Sequence, residues 1–288
     1  MIPESFGYSA PTTLQEAFSL LAEHGEDAKI LAGGHSLIPM MKLRFASPTH
    51  LVDINRIPGL SYVKEENGFL KIGAMTKESA MEESSIIREK YPIFTDAAKL
   101  IADPQVRNFG TIGGNIAHGD AANDHPAVMM ALDAEVEIAS PSGSRTVSIN
   151  DFFYGFYTTA IQHGEILTEI RIPTPANQFG CAYHKAERKV GDYATAGVAV
   201  AIHMDRGGVC RKARIGLTNV NSTPMRATQA EAALEGTTLT ADDIKKAGQL
   251  ASTECNPSSD LRGDEEYKRH LVGIITQRMI KKSLERIK

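Results

Sequence analysis

Two short stretches carry the residue types from which an anion cradle can be built: "AGGHS" (residues 32–36) and "TIGGN" (residues 111–115). Glycine puts no Cβ between backbone and ligand, and successive N–H groups in such a turn form a concavity that accepts an anion. Ser36, Thr111 and Asn115 add hydroxyl and amide groups able to bond phosphate oxygens. A glycine pair taken alone also reads as a tight corner or a helix start. Two turns of like chemistry fit a pyrophosphate gripped from both sides. The familiar phosphate motifs are missing: neither turn matches G-x-x-x-x-G-K-S/T or G-x-G-x-x-G. A third stretch, "HGDAANDH" (residues 118–125), strings His118, Asp120, Asp124 and His125 together like metal ligands. A metal site needs ligands that converge in space, so this stretch reads as a polar loop following the second glycine turn.

Elements that would position these turns are legible around them. Thr12 or Thr13 precedes Leu14, Ala17, Phe18, Leu20 and Leu21 at helical spacing, and Gly25 stops the run. "AKIL" then reads as a short buried strand, which puts the first glycine pair at a strand's end. "MMKLRF" continues as a helix before Pro48, and "HLVDI" is another strand. Asn67-Gly68 signals a hairpin, and "KESAMEES" and "REKYPIFTDAAKLIA" read as helices, the second ended by Pro104. "RIPTPANQFG" (residues 171–180) lacks periodicity and reads as a linker. Beyond it, "GVAVAIHM" and "CRKARIGLTNV" form strands around the turn "DRGG", and the last sixty or so residues turn helical. These elements give an α+β chain in three units: 1–55, 56–177 and 178–288.

Composition narrows the functional classes. The chain has 288 residues, 42% hydrophobic, with a formal net charge of −4. Mixed charge of that kind supplies no basic stripe for nucleic acid. No apolar run reaches the roughly 20 residues that span a bilayer, and "MIPESFGYSA" lacks the pattern of a secretory signal, so the expected location is the cytoplasm. The 3 cysteines, Cys181, Cys210 and Cys255, are too few and too scattered for a disulfide framework or an iron–sulfur cluster.

At the two turns the chain resembles a known family. "AGGHSLIPMMKLR" and "TIGGN", with "ADPQVRNFG" before the latter and "KVGDYATA" later, are similar to the FAD-binding medium subunit of molybdenum hydroxylases, the xanthine dehydrogenase family, and most of all to that of aerobic carbon monoxide dehydrogenases. The likeness runs from "LVDINRI" through "GLTNV" to "LRGDEEY" with order and spacing kept.

That resemblance implies a vanillyl-alcohol-oxidase-type fold, in which two FAD-binding subdomains hold an extended FAD, plus a C-terminal domain made of a small antiparallel sheet with helices. It places Lys29, Ile30, Leu31, Ala32, Gly33, Gly34, His35 and Ser36 around the FAD pyrophosphate, with Leu37 extending the turn, and Thr111, Ile112, Gly113, Gly114 and Asn115 closing the other side. It makes His35 part of the cradle and not a catalytic group. It adds Ile101 and Ala102 before the second turn, Asp124 toward the ribose or adenine, Leu167 packing on the cofactor, and Lys185 and Tyr193 near the isoalloxazine ring. For Asp124, Leu167, Lys185 and Tyr193, a purely structural role stays open.

The implied activity is electron transfer. A large subunit would carry the molybdenum cofactor and oxidise substrate, a small subunit would relay electrons through two 2Fe–2S clusters, and FAD on this chain would pass them to an external acceptor, in a dimer of heterotrimers possessing no catalytic residue or metal site on this chain. Carbon monoxide is the expected substrate of the complex, with an N-heterocycle such as nicotine or a purine as the alternative. Two further readings are a stand-alone flavin oxidoreductase of the same fold and a cofactor-free scaffold.

Overall fold

Thr13 caps the first helix as its position predicts: its side chain accepts from the Glu16 N–H, the helix spans Leu14–His24, and Gly25 ends it at φ 59°. The computed structural model describes residues 2–175 and 177–287. "AKIL" is the strand Ala28–Leu31. It lies beside His50–Asp53, which is central and parallel to both Ala28–Leu31 and Gly7–Ser9. The helix predicted from "MMKLRF" begins earlier, at Leu37, and ends at Lys42. Apolar side chains of the first helix, Ala17, Phe18 and Leu21, pack with Val52, Ile54 and Leu60 in a small core.

The second sheet is antiparallel, in the order Val63–Glu66, Phe69–Gly73, Ile166–Pro173, Glu135–Ser140, Gly143–Ser148. Its first hairpin turns at Asn67 (φ 53°) and Gly68 (φ 79°), the left-handed pair that "NG" predicts. Between the second and third chain passes lie six short helices. Here two sequence expectations fail. The single helical stretch read over "REKYPIFTDAAKLIA" splits into Ser85–Lys90 and Pro92–Ala98, with Tyr91 out of helical geometry between them at φ −131°, ψ 57°. Pro104 does not end a helix; it opens Pro104–Phe109, with the Asp103 side chain accepting from the Val106 N–H. A missing N–H costs nothing in a first turn, where that group has no helical partner.

The expected linker at residues 171–180 is mostly strand. Ile166–Pro173 runs into it and Phe179–Ala186 begins in it; Ala176, in its middle, lies outside the described residues. Proline is tolerated where a strand ends, so Pro173 closes the strand without disrupting it. The third sheet is antiparallel, in the order Phe179–Ala186, Ala196–Met204, Cys210–Thr218, Met225–Arg226. Its inner strand Ala196–Met204 is apolar on both faces because both faces are covered. Cys181, Tyr183, Ala199 and Ala201 join the core of the middle sheet and its helices, while Ala182, Val198, Val200 and Ile202 pack beneath Thr228–Leu234, Ala241–Glu254 and Glu265–Glu285. Among the described residues, no helix is long and apolar enough to cross a membrane.

One ion cluster bolts the last helix to the middle of the chain. Asp96, on Pro92–Ala98, accepts from Arg286 Nη1 (2.6 Å), from Lys282 Nζ (2.9 Å) and from the Tyr183 backbone N–H (3.2 Å). Burial alone would raise the Asp96 carboxyl, but the hydrogen bonds from Arg286 and Lys282 outweigh it and hold the pKa below the ordinary 3.8. A carboxyl lowered in the folded state stabilises above its unfolded pKa and loses that contribution as pH falls through the folded value. Asp96→Asn is therefore expected to lower stability at pH 7 by about 1–3 kcal/mol. In urea titrations, its difference from wild type should shrink as the pH drops from about 4 toward 2; a pH-independent difference would contradict the ionic account.

Candidate functional site

The second glycine turn is held by a strap that has no signature in the sequence. Residues 74–78 pair antiparallel with residues 110–113: Gly113 N–H donates to the Ala74 carbonyl (2.9 Å), Ile112 N–H to Thr76 (3.0 Å) and Glu78 N–H to Gly110 (3.0 Å). Thr111 then caps the helix Ile112–His118, its Oγ1 accepting from Gly114 N–H at 3.2 Å, and Asn115 N–H reaches the Thr111 carbonyl at 3.0 Å. The N–H groups of Ile112, Gly113, Gly114 and Asn115 are thus all engaged within the fold. This turn is not the anion nest that its glycines suggest.

The first turn differs. Following strand Ala28–Leu31, it runs through Gly33 and Gly34 (φ 75°) into helix Leu37–Lys42. Among the described residues, no hydrogen bond from the N–H groups of Gly33, Gly34, His35 or Ser36 to another protein group is present. Four successive donors are left for a ligand. The anion-binding capacity that the sequence divides between two turns is therefore concentrated on one.

Glycine is needed here for protein packing as much as for ligand space. A Cβ on Gly33 would run into the Phe109 carbonyl oxygen and stand 2.8 Å from Gly110 Cα. One on Gly113 would lie 2.5 Å from Ala74 Cβ, and one on Gly114 would lie 2.8 Å from Thr111 Oγ1 and 3.7 Å from Ala32 Cβ. A side chain at Gly33 would push the first turn off residues 109–110, one at Gly113 would push the second turn off residue 74, and one at Gly114 would crowd the Thr111 cap.

Between the turns opens a cavity of about 730 Å³, within the range of small-molecule and cofactor sites. It brings together Lys29, Ile30, Leu31, Ala32, Gly33, Gly34, His35, Ser36 and Leu37 from the first motif with Thr111, Gly113, Gly114 and Asn115 from the second. Ile101, Ala102, Asp124, Leu167, Lys185 and Tyr193 line the same space. Ile112 is the exception: its side chain is wholly buried in the middle core, and the cavity does not reach it. Leu167 reaches the wall where the register of its strand shifts between Leu167 and Glu169. Ala102 adopts φ 45°, and its carbonyl packs so tightly under Gly191 (φ 79°) that a Cβ there would lie 2.5 Å away. That contact seats the loop bearing Tyr193. The Tyr193 ring is 43% exposed, with the Arg262 guanidinium 5.6 Å from its centroid.

Asp124 and Lys185 belong to one buried cluster. Lys185 Nζ donates to Asp124 Oδ2 at 3.0 Å, and Tyr183 Oη donates to Asp124 Oδ1 at 2.5 Å. Burial raises the Asp124 carboxyl above its ordinary value against the pull of Lys185 and Tyr183. Burial likewise raises the Tyr183 hydroxyl, and the neighbouring Asp124 adds to it. The two side chains therefore sit at one place in the cavity wall.

The side chains of "HGDAANDH" diverge. His118 packs tilted against Tyr157 (4.8 Å between centroids), Asp120 accepts from the Ala122 N–H, Asp124 meets Tyr183 and Lys185, and His125 Nε2 lies 2.8 Å from Glu78 Oε2. His35 stacks on Phe109 at 5.6 Å. Among the wall residues that sequence reasoning missed are Glu78, Asn123 and Tyr157. Glu78 looks like an ordinary acidic helix start, Asn123 like a loop residue, and Tyr157 carries no motif yet adopts φ 55°. A bulky residue at positive φ marks strain, yet nothing in its flanking sequence signals it.

The donor set suits a dinucleotide with a pyrophosphate centre. The row of free N–H groups can donate to anionic oxygens, and Asn115 Oδ1, buried without a hydrogen-bond partner among the described residues, is an acceptor for a hydroxyl or ring N–H. Apolar Ile30, Leu31, Ile101 and Leu167 supply surface for flat rings.

Comparison with known proteins gives the same outline. Residues 4–175 match the family model of the FAD binding domain in molybdopterin dehydrogenase, and residues 181–283 match that of the CO dehydrogenase flavoprotein C-terminal domain. The chain is 48% identical to the carbon monoxide dehydrogenase medium chain of Afipia carboxidovorans over 100% of both chains. It is 34% identical to the nicotine 6-hydroxylase medium subunit of Paenarthrobacter nicotinovorans over 95% of each. A chain of the solved carbon monoxide dehydrogenase from Hydrogenophaga pseudoflava, which lacks the Mo-pyranopterin moiety, superposes with a TM-score of 0.97 at 49% identity over 100% of both.

Proposed function

This chain belongs to the FAD-binding flavoprotein family of molybdopterin dehydrogenases, and from that premise we propose that it is the electron-transferring FAD subunit of a carbon monoxide dehydrogenase-type complex. The observation that carries the cofactor site is the row of free N–H groups on Gly33, Gly34, His35 and Ser36 facing a cavity closed by the second turn. These groups hold the pyrophosphate; Asn115 Oδ1 accepts from a hydroxyl or N–H elsewhere on the cofactor, and Ile30, Leu31, Ile101 and Leu167 press against the rings. When bound, a flavin can take electrons singly and release them in pairs, which suits a junction between iron–sulfur clusters and an external acceptor.

The chain's own residues prepare the site. Lys185 sets a cation in the wall, aimed by Asp124 and Tyr183, and Tyr157 and Tyr193 stand over the cavity and limit water. The three cysteines are buried in separate places and free. We assign the two 2Fe–2S clusters to a small partner and the molybdenum cofactor to a large one, in a cytoplasmic complex at the inner face of the membrane. The family-model boundaries support a break near residue 177; the break at 55 rests on the separate first sheet.

Copurification tests this reading. Coexpressed with its neighbours, the chain should yield a complex with about one FAD per copy, released on heating, that oxidises carbon monoxide. No flavin in that complex would overturn the cofactor assignment, and turnover of a simple substrate by the chain alone would overturn the subunit assignment. The 34% identity to a nicotine hydroxylase subunit supports a second reading of the substrate, distinguished by assaying nicotine and purines beside carbon monoxide.

A further inference from the structure

Beyond Leu167, the described cavity wall consists of Lys185, Gly191, Asp192 and Tyr193. Lys185 stands on the strand Phe179–Ala186 and is fixed by Asp124. The other three belong to the loop of residues 187–195 that leads into Ala196–Met204, and a wall built on a loop keeps its shape only if neighbouring groups hold it. On one side, Gly191 rests on the Ala102 carbonyl. On the other, a second loop, residues 255–264 between the helices Ala241–Glu254 and Glu265–Glu285, reaches it through Arg262. Arg262 Nη2 donates to Asp192 Oδ1 at 2.9 Å, the oxygen that also accepts from the Tyr193 N–H at 2.9 Å, and the guanidinium lies 5.6 Å from the Tyr193 ring centroid. Arg188 adds a second tie, donating from Nη1 to the Leu261 carbonyl at 3.3 Å.

The second loop is itself anchored. Lys268, 1% exposed at its side chain, donates from Nζ to Asp260 Oδ2 (2.8 Å) and to the Ser258 carbonyl (2.9 Å), and Asp260 Oδ1 accepts from the Arg262 N–H (2.7 Å). A continuous chain of contacts thus runs from the last helix through Asp260, Arg262 and Asp192 to Tyr193.

We propose that Arg262 is the residue through which the C-terminal unit closes the cavity: it holds Tyr193 in the wall and thereby sets how fast the flavin leaves. This rests on the FAD assignment above. Arginine suits the task, because one planar group can pair with a carboxylate and lie over an aromatic ring, and its charge does not change with pH. Its Nε–H is buried without a partner among the described residues, so the group is held by Asp192 and the ring and not by a full set of hydrogen bonds. Arg262 is outside the cavity lining. It is a positioning residue that acts through Tyr193.

Flavin release from the purified complex, followed by the rise in flavin fluorescence after dilution, tests this. Arg262→Ala should release flavin about tenfold faster than wild type. Arg262→Lys, which keeps a cation for Asp192 and the ring, should stay within about threefold of wild type. Because Arg262 acts through Tyr193, adding Arg262→Ala to Tyr193→Leu should speed release from that variant by about twofold at most. An arginine that merely supports the fold would give the same increment in both backgrounds. Wild-type release in Arg262→Ala, no rescue by lysine, or equal increments in the two backgrounds overturns the proposal. If the wild-type complex holds no flavin, the FAD assignment is what has failed, and hydrogen exchange in that complex then reads the contact itself. There, Arg262→Ala should speed exchange of the amides of residues 188–194 and leave those of Glu265–Glu285 as they were; unchanged exchange at 188–194 overturns the proposal.

Discussion

Gly33→Val is expected to strip the complex of its flavin, leaving about a tenth or less of wild-type content. The first branch of its side chain falls on the Phe109 carbonyl and against Gly110 Cα, so the first turn must back away from the second. Overpacking of this kind costs about 1–3 kcal/mol, which a chain with three cores should survive folded. The flavin loss follows from geometry: the four free N–H groups keep their direction only while residues 33 and 110 stay in contact. Gly34→Ala is the graded control. Gly34 sits at φ 75°, and its Cβ would meet Ile38 and Leu31 at 3.3 Å, so the cost is backbone strain of about 1–2 kcal/mol with a smaller flavin deficit. Flavin absorbance per chain, measured with far-ultraviolet circular dichroism as a folding check, decides it. Full flavin content in Gly33→Val would remove the first turn from the site.

The second large effect lies in the buried cluster. Asp124→Ala leaves the Lys185 ammonium, 1% exposed, with Glu187 at 3.7 Å as its remaining ionic neighbour. Breaking a buried pair by removing one partner costs about 3–5 kcal/mol, whereas replacing both with apolar groups is far milder. Asp124→Ala should therefore fall sharply in urea midpoint, and adding Lys185→Met should recover most of the loss. Tyr183→Phe removes only the hydroxyl that donates to Asp124 and should cost about 1–2 kcal/mol. Additive losses in the double variant would mean that the two side chains do not form one unit.

Local order in this chain is written locally. Thr13 and Gly25 bracket a helix, Asn67-Gly68 turns a hairpin, and the strand Ala196–Met204 announces its double burial by a nearly continuous apolar run. Pro104 was misread because a proline marks either the end of one helix or the first turn of the next, and only Asp103, bonding Val106, decides between them. The split at Tyr91 was hidden because the residues on either side keep helical periodicity. Spacing of the two glycine motifs pointed to one ligand site, and the cavity does gather both motifs, with Ile112 turned into the core.

By itself, the sequence determined which residues are available: glycines where backbones or ligands come close, few cysteines, no basic stripe, and motifs whose order identifies a family. Only the tertiary structure decided how they are used. The strap at residues 74–78 and the Thr111 cap together take up the N–H groups of the second turn, while those of the first stay free. Lys185 was paired with Asp124, and Glu78 with His125, across sequence separations of 61 and 47 residues. Hydrogen bonds and ion pairs are settled by which groups the folded chain brings within about 3 Å, and that distance is set by the packing of whole elements, to which no local pattern in the sequence corresponds.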